Sequence, residues 1–281
     1  MPVISASLGE IDTVSWGGGD DLIVLLHASA TGPHAFAGLA GQLASTGRQL
    51  LAPAFVGYGA TRLADTAPSD HTARNLAIAN HVLATAGGGK RIVVGHSMGG
   101  LIALLCAIDQ AERGRPLDAL ILYEPILHDM LDPAAPDEAA ALAWDRNIIT
   151  AMVRDVRAGR AEQGIRRFVE VWNDVAWHDL PRAARVNLVA NAANLVRETT
   201  AMPAARLRPD RLRRLPTPTL LLAGDRSPAF IQLVLARLAA QLPGARSVTL
   251  PGLGHMAPIA RPDGVATAIE GLLAELPETA A

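Results

Sequence analysis

The chain has 281 residues, half of them apolar, and a formal net charge of −2, which suits a single α/β core carrying an insertion. No apolar run is long enough to span a bilayer, and the first ten residues lack the basic start and long apolar stretch of a secretory signal, so a soluble, cytoplasmic protein is expected. Cys106 is the only cysteine and Lys90 the only lysine; the first excludes an intrachain disulfide and a cysteine-based metal cluster, and the second leaves Schiff-base chemistry one poor candidate.

Apolar runs bounded by turn residues predict strands at Val3 to Leu8, Thr13 to Trp16, Leu22 to His27, Gln49 to Pro53, Arg91 to Gly95, Leu117 to Tyr123, Thr219 to Ala223 and Arg246 to Leu250. Helices are predicted at Pro33 to Ser45, Ser69 to Ala86, Met98 to Arg113, Pro228 to Gln241 and Gly264 to Leu276. Their alternation predicts an α/β fold with a mostly parallel, eight-stranded sheet and helices on both faces. From Ile126 to about Pro203 the strand signals stop, and helix formers such as Glu138 to Met152 and Ala161 to Asn173 take over. The expected organisation is therefore a core in two parts, 1–125 and 204–281, with a helical cap at 126–203 inserted after the sixth strand. Such an insertion lies above the carboxyl ends of the strands, where open α/β sheets bind ligands.

Three of the four tryptophans, Trp144, Trp172 and Trp177, fall in the insertion. They serve equally as packing residues or as cavity walls, with Trp144, Phe168 and Trp172 as the candidate wall residues. The arginines at 206, 208, 211, 213 and 214 have no interleaved aromatics to stack on bases, which reads as a solvated connector rather than a nucleic-acid site. Cys106, in an apolar helical stretch, is expected to be buried and inert.

The stretch Arg91-Ile-Val-Val-Gly-His-Ser-Met-Gly-Gly100 joins an apolar strand to an apolar helix through a serine with glycines two residues to either side. This is the wiring of a nucleophile elbow. Gly95 and Gly99 remove Cβ atoms that would clash in so sharp a turn. Ser97 then stands at a helix start, where free N–H groups beginning with Met98 face any oxyanion formed on a carbonyl that Ser97 attacks. The bland alternative is a Gly-rich turn with a satisfied serine.

A serine hydroxyl needs an adjacent base, and eight histidines compete. His255 stands out, because Pro251-Gly-Leu-Gly-His-Met256 follows the last strand and should return to the carboxyl edge of the sheet. His27 ends the third strand and is read as structural; backbone N–H groups at Ala28 or Ser29 after it can supply a second oxyanion donor. His96, on the other side of its strand from the nucleophile's line, reads as a packing or hydrogen-bonding residue. For the acid that orients the base, Leu120-Ile-Leu-Tyr-Glu-Pro125 ends a purely apolar run with Glu124, and Asp225 in Leu220-Leu-Leu-Ala-Gly-Asp-Arg-Ser-Pro228 competes with it.

Together these elements resemble the α/β-hydrolase superfamily over nearly the whole chain. In that family the loop after strand 3 usually reads His-Gly-x; here it reads His27-Ala28-Ser29, and the resemblance carries the oxyanion donors onto Ser29 and Met98. Phe55-Val-Gly-Tyr-Gly59 resembles the family's Asp-x-x-Gly-x-Gly turn, with Phe55 replacing the acid, and is read as structural. The family's usual acid slot after strand 7 holds Ser227, with Asp225 two positions early. In relatives such as the haloalkane dehalogenases the acid ends strand 6, the place of Glu124; those relatives use an aspartate nucleophile, so only the acid position transfers. The resemblance implies a serine esterase or lactonase acting on a small apolar ester through Ser97, His255 and Glu124, with no metal or organic cofactor. Carbon–carbon bond hydrolysis, cofactor-free lyase or perhydrolase chemistry, and a non-catalytic receptor for a small molecule stay open beside it.

Overall fold

The computed structural model describes residues 3–6, 8–45, 47–173 and 175–277. Among them nine strands form one sheet: β1 (Val3–Ala6), β2 (Gly9–Gly17), β3 (Asp21–Leu26), β4 (Arg48–Pro53), β5 (Arg62–Leu63), β6 (Arg91–His96), β7 (Ala119–Tyr123), β8 (Thr219–Gly224) and β9 (Arg246–Leu250). The order is β1-β2-β4-β3-β6-β7-β8-β9, with β5 paired to β2. β2 runs antiparallel to β1, β4 and β5, and every pair from β4 across to β9 is parallel. The eight predicted strands are present; the ninth is the two-residue β5, too short to leave a periodic signal. β2 is longer than predicted, because its polar alternation around Glu10 and Asp12 hides a strand whose apolar positions, such as Ile11, point inward.

Eleven helices accompany the strands among the described residues: α1 (Ala37–Leu43), α2 (His71–Leu83), α3 (Met98–Glu112), α4 (Pro136–Arg157), α5 (Ala161–Asn173), α6 (Arg182–Ala190), α7 (Ala192–Ala201), α8 (Pro209–Arg213), α9 (Ala229–Gln241), α10 (Ala257–Ala260) and α11 (Pro262–Leu273). Pro33–Phe36, predicted as the start of a helix, is a 3-10 turn leading into α1. α2 begins at His71 because the Asp70 carboxylate caps it, accepting from the Ala73 N–H at 2.8 Å.

Side chains alternate across the parallel strands, so each strand feeds two cores. Leu22, Val24 and Leu26 of β3 join one cluster with α2, α3 and α9, and Ile23 and Leu25 join the other with α1 and α11. Apolar runs with no polar alternation follow from this burial on both faces.

Helices α4 to α7 all lie in the connection from β7 to β8. They supply most of a third cluster, built on Met152, Ile165, Val169, Trp177 and Leu195 and joined by Ala30 of the loop after β3. Among the described residues no helix is long and apolar enough to cross a membrane. The arginines of the connector are paired on the surface: Arg206 with Asp129, Arg208 and Arg214 with Asp210, and Arg211 with Glu112.

Candidate active site

Ser97 follows β6 directly and has φ 57° and ψ −119°, a left-handed backbone that a non-glycine residue adopts only when its surroundings force it. The forcing contacts are close. A Cβ on Gly95 would lie 2.4 Å from the Gly99 carbonyl oxygen, and one on Gly99 would lie 2.0 Å from that of Leu26, so helix α3 packs directly on the strands beneath it. Ser97 is the N-cap of α3, yet its hydroxyl makes no capping bond and is free to turn elsewhere.

It turns to His255. The Ser97 Oγ and His255 Nε2 atoms are 3.1 Å apart, and the His255 Nδ1–H donates to Glu124 Oε2 at 2.7 Å. All three residues are buried. Glu124 follows β7 immediately, at φ 47°, with Pro125 packed against Gly100 of the elbow helix. Its second oxygen, Oε1, accepts from the Gly224 N–H at 2.8 Å and from the Ser227 hydroxyl. Three donors therefore hold this carboxylate in its buried place, as an unpaired buried charge would be costly. Ser227, in the slot where the resemblance places an acid, is a donor to the acid instead.

The structure leaves Asp225 outside this chain of bonds. It is exposed, and its Oδ1 accepts from the Gly252 N–H at 2.8 Å, tying the turn after β8 to the turn after β9.

The loop that carries His255 is pinned from below by the two central strands. His96 donates its Nε2–H to the His255 carbonyl at 2.8 Å, and the Tyr123 hydroxyl donates to the Gly254 carbonyl at 2.8 Å. Burial holds the His96 imidazole well below the usual histidine range, so it stays neutral and keeps this tautomer. Gly224 lets the loop settle there, since a Cβ at that position would lie 2.0 Å from the Leu253 carbonyl oxygen.

On the other side of Ser97, the loop after β3 is built around His27. Its Nδ1–H donates to the Ala28 carbonyl at 2.8 Å and its Nε2 accepts the Phe55 N–H at 3.2 Å. Both ring nitrogens are used by the neutral form, and burial lowers the pKa to about 4. The Ala28 carbonyl also accepts from the Thr31 hydroxyl at 2.8 Å. A trans peptide sets C=O and N–H antiparallel, so anchoring that carbonyl turns the Ser29 N–H the opposite way. Ala28, standing where the resemblance has glycine, needs no positive φ; the strained residue of this loop is Ala30, at φ 63°. Among the described residues the N–H groups of Ser29 and Met98 have no hydrogen-bond partner.

Ser29, Ser97 and His255 line a small cavity with Ile126, Phe168 and Trp172. Trp172 packs beside His255, its ring tilted by 51° with centroids 5.1 Å apart. Trp144 touches Trp172 from behind, outside this cavity, and Trp177 is buried inside the helical segment. His128 and Asp145 also line the cavity and are hydrogen-bonded at 2.8 Å; neither stood out in the sequence, where a lone histidine and a helical aspartate carry no pattern. Cys106 is buried, its thiol pushed up to about 12 by burial. Among the described residues no group of three or more His, Cys, Asp or Glu side chains is placed to hold a metal ion.

A serine, an imidazole and a carboxylate in this sequence of hydrogen bonds can transfer the serine proton to the imidazole and return it. Comparison with known proteins gives the family and the fold. The profile of the alpha/beta hydrolase family matches residues 23–268. Among solved structures, an alpha/beta hydrolase from Sphaerobacter thermophilus is 24% identical, with a TM-score of 0.71 over 97% of this chain and 100% of that one. A thermophilic esterase from Thermogutta terrifontis is 23% identical, with a TM-score of 0.68 over 97% and 96%, and the carboxylesterase CesB from Bacillus subtilis is 15% identical, with a TM-score of 0.74 over 96% and 90%. No curated protein matches the chain in sequence.

Proposed function

The chain belongs to the alpha/beta hydrolase family, and from that premise we propose that it is a serine hydrolase that cleaves a small carboxylic ester or lactone through an acyl-enzyme. The observation that carries this reading is the hydrogen-bonded run from Ser97 through His255 to Glu124, on an elbow strained for the purpose. Helices α4 to α7 act as a cap over the site, and the narrow cavity, lined by Ile126, Phe168, Trp172 and Met202, suits a short, largely apolar substrate.

Ser97 Oγ attacks the carbonyl carbon as its proton passes to His255 Nε2. The carbonyl π electrons move onto oxygen, and the N–H groups of Ser29 and Met98 receive that oxyanion, the interaction that is stronger in the transition state than in the ground state. Glu124 holds the Nδ1–H and stabilises the imidazolium. Collapse of the tetrahedral intermediate breaks the bond to the alkoxy oxygen, which takes the proton from Nε2 and leaves as the alcohol. For a lactone the alcohol stays tethered to the acyl group. Water then gives a proton to Nε2 as it attacks the acyl-enzyme, and Ser97 regains its proton as the acid departs. Gly224 and Ser227 keep Glu124 aimed at His255.

Turnover of p-nitrophenyl butyrate and of a small lactone tests the reading. The wild-type chain is expected to hydrolyse at least one of them, with loss of roughly 10³-fold or more in Ser97→Ala. A well-folded chain that turns over neither, or a Ser97→Ala variant as active as wild type, would refute it.

A further inference from the structure

The loop after β3 holds a second strained residue beside the site. Ala30 has φ 63°, which costs an L residue about 1 kcal/mol or more, so its neighbours must fix it. Its N–H donates to the Tyr58 hydroxyl oxygen at 2.7 Å, and its methyl group packs in the cluster of the inserted helices with Met152 and Leu195. The Tyr58 oxygen directs its own proton to Oε2 of Glu198, on α7, at 3.0 Å. Glu198 is fully buried. Four residues earlier on the same helix, Asn194 donates to the Gly57 carbonyl at 2.6 Å, so α7 grips the Phe55–Gly59 turn twice.

Two further atoms complete the picture. Ser29 Oγ and Glu198 Oε1 are both buried and make no hydrogen bond of ordinary geometry, yet the Ser29 hydroxyl lies close enough to the Glu198 carboxyl to lower its pKa against the effect of burial. Orphaned buried polar groups are uncommon and call for an explanation. Here they sit on two elements joined by the Tyr58 bridge, one of them carrying the amide that faces the reacting oxygen. Burial lifts the Glu198 carboxyl to about 7. Holding so costly a group inside the protein is hard to understand as packing, because a leucine or glutamine would fill the volume without it.

We propose that Glu198 is a positioning residue for the oxyanion site: acting through Tyr58 and the Ser29 hydroxyl, it fixes the Ala28–Ala30 peptides so that the Ser29 N–H meets the oxygen that becomes negative at Ser97. The assignment rests on the acyl-transfer reading of the site. It makes the inserted helices part of the stabilising apparatus as well as its cover. Because the oxyanion forms only after attack, misplacing its donor lowers kcat and leaves KM nearly as it was.

The test compares Glu198→Ala, Glu198→Gln and Tyr58→Phe with wild type in two assays, p-nitrophenyl butyrate kinetics and the rate at which a fluorophosphonate labels Ser97. Tyr58→Phe removes a single oxygen and keeps the ring against His27, so it remains informative if Glu198→Ala folds poorly. Glu198→Ala and Tyr58→Phe are expected to lose about tenfold or more in both kcat and labelling rate, with KM within about twofold of wild type. Glu198→Gln, whose amide can accept from Tyr58 and donate to Ser29, is expected within about threefold of wild type in both. Wild-type rates in Tyr58→Phe and Glu198→Ala, a loss confined to KM, or a Glu198→Gln as impaired as Glu198→Ala would overturn the assignment while leaving the hydrolase reading intact. A wild-type chain that fluorophosphonate leaves unlabelled would overturn both.

Discussion

Ser227 donates its hydroxyl to Oε1 of Glu124, while the other oxygen of the same carboxylate accepts the Nδ1–H of His255. The residue that stands after β8, where the resemblance expects an acid, has become a hydrogen-bond donor to an acid supplied by the neighbouring strand. The two positions are therefore adjacent in space.

Removing that donor leaves Glu124 Oε1 with the Gly224 N–H alone. A hydrogen bond to a charged group contributes about 1.5–3 kcal/mol, so Ser227→Ala is expected to lower kcat about tenfold on p-nitrophenyl butyrate with little change in KM. Ser227→Asp placed in a Glu124→Gln background is expected to restore at least part of what Glu124→Gln loses. Steady-state kinetics on the three variants check this. An unchanged kcat in Ser227→Ala would show that Gly224 suffices to hold the acid.

The elbow depends on close backbone approach. A methyl group at Gly99 meets the Leu26 carbonyl oxygen at 2.0 Å, and neither atom is on a flexible side chain. Gly99→Ala is expected to destabilise the protein by about 3 kcal/mol or more and to abolish activity in whatever fraction folds. Thermal melting checks it, and a variant that melts with the wild type would show that α3 can lift off β3 at little cost.

Glu198 gives a pH dependence of stability with a definite sign. Its carboxyl ionises at about 7 in the native chain, against 4.5 for the ordinary group. As pH rises above 4.5 the unfolded chain releases this proton and the native chain keeps it, so stability falls between about pH 4.5 and pH 7 and then levels off. The shift corresponds to about 3 kcal/mol. Glu198→Gln has no proton to lose. In urea unfolding from pH 5 to pH 8, the stability of Glu198→Gln relative to wild type is expected to rise by that order; His27 and His96, buried and neutral, titrate alike in both proteins and cancel. Parallel curves would show that Glu198 is not held neutral.

Much of this was legible in the sequence because it is local. Apolar runs bounded by turns gave the parallel strands, the spacing of Gly95, Ser97 and Gly99 gave the elbow, and His255 was marked by its place after the last strand. Glu124 was visible because a carboxylate at the end of a purely apolar run, before a proline, needs a reason. What stayed hidden is long-range. Glu198 follows Arg197 in an ordinary amphipathic helix and looks solvated until α7 is docked on the Tyr58 turn, 140 residues away. The pairing of His128 with Asp145 likewise depends on how α4 folds back over the site. His96 read only as a packing or hydrogen-bonding residue, since nothing local says that its partner is the His255 carbonyl.

The reading of the site turns on which carboxylate supports His255, and the most direct measurement is kcat/KM of Glu124→Gln beside Asp225→Asn on the same activated ester. Glu124 is buried against His255 Nδ1 at 2.7 Å, whereas Asp225 is exposed and bonded to Gly252. A loss of roughly 10³-fold or more is expected in Glu124→Gln, with Asp225→Asn within about twofold of wild type. Comparable activity in the two variants, or the larger loss in Asp225→Asn, would contradict the account.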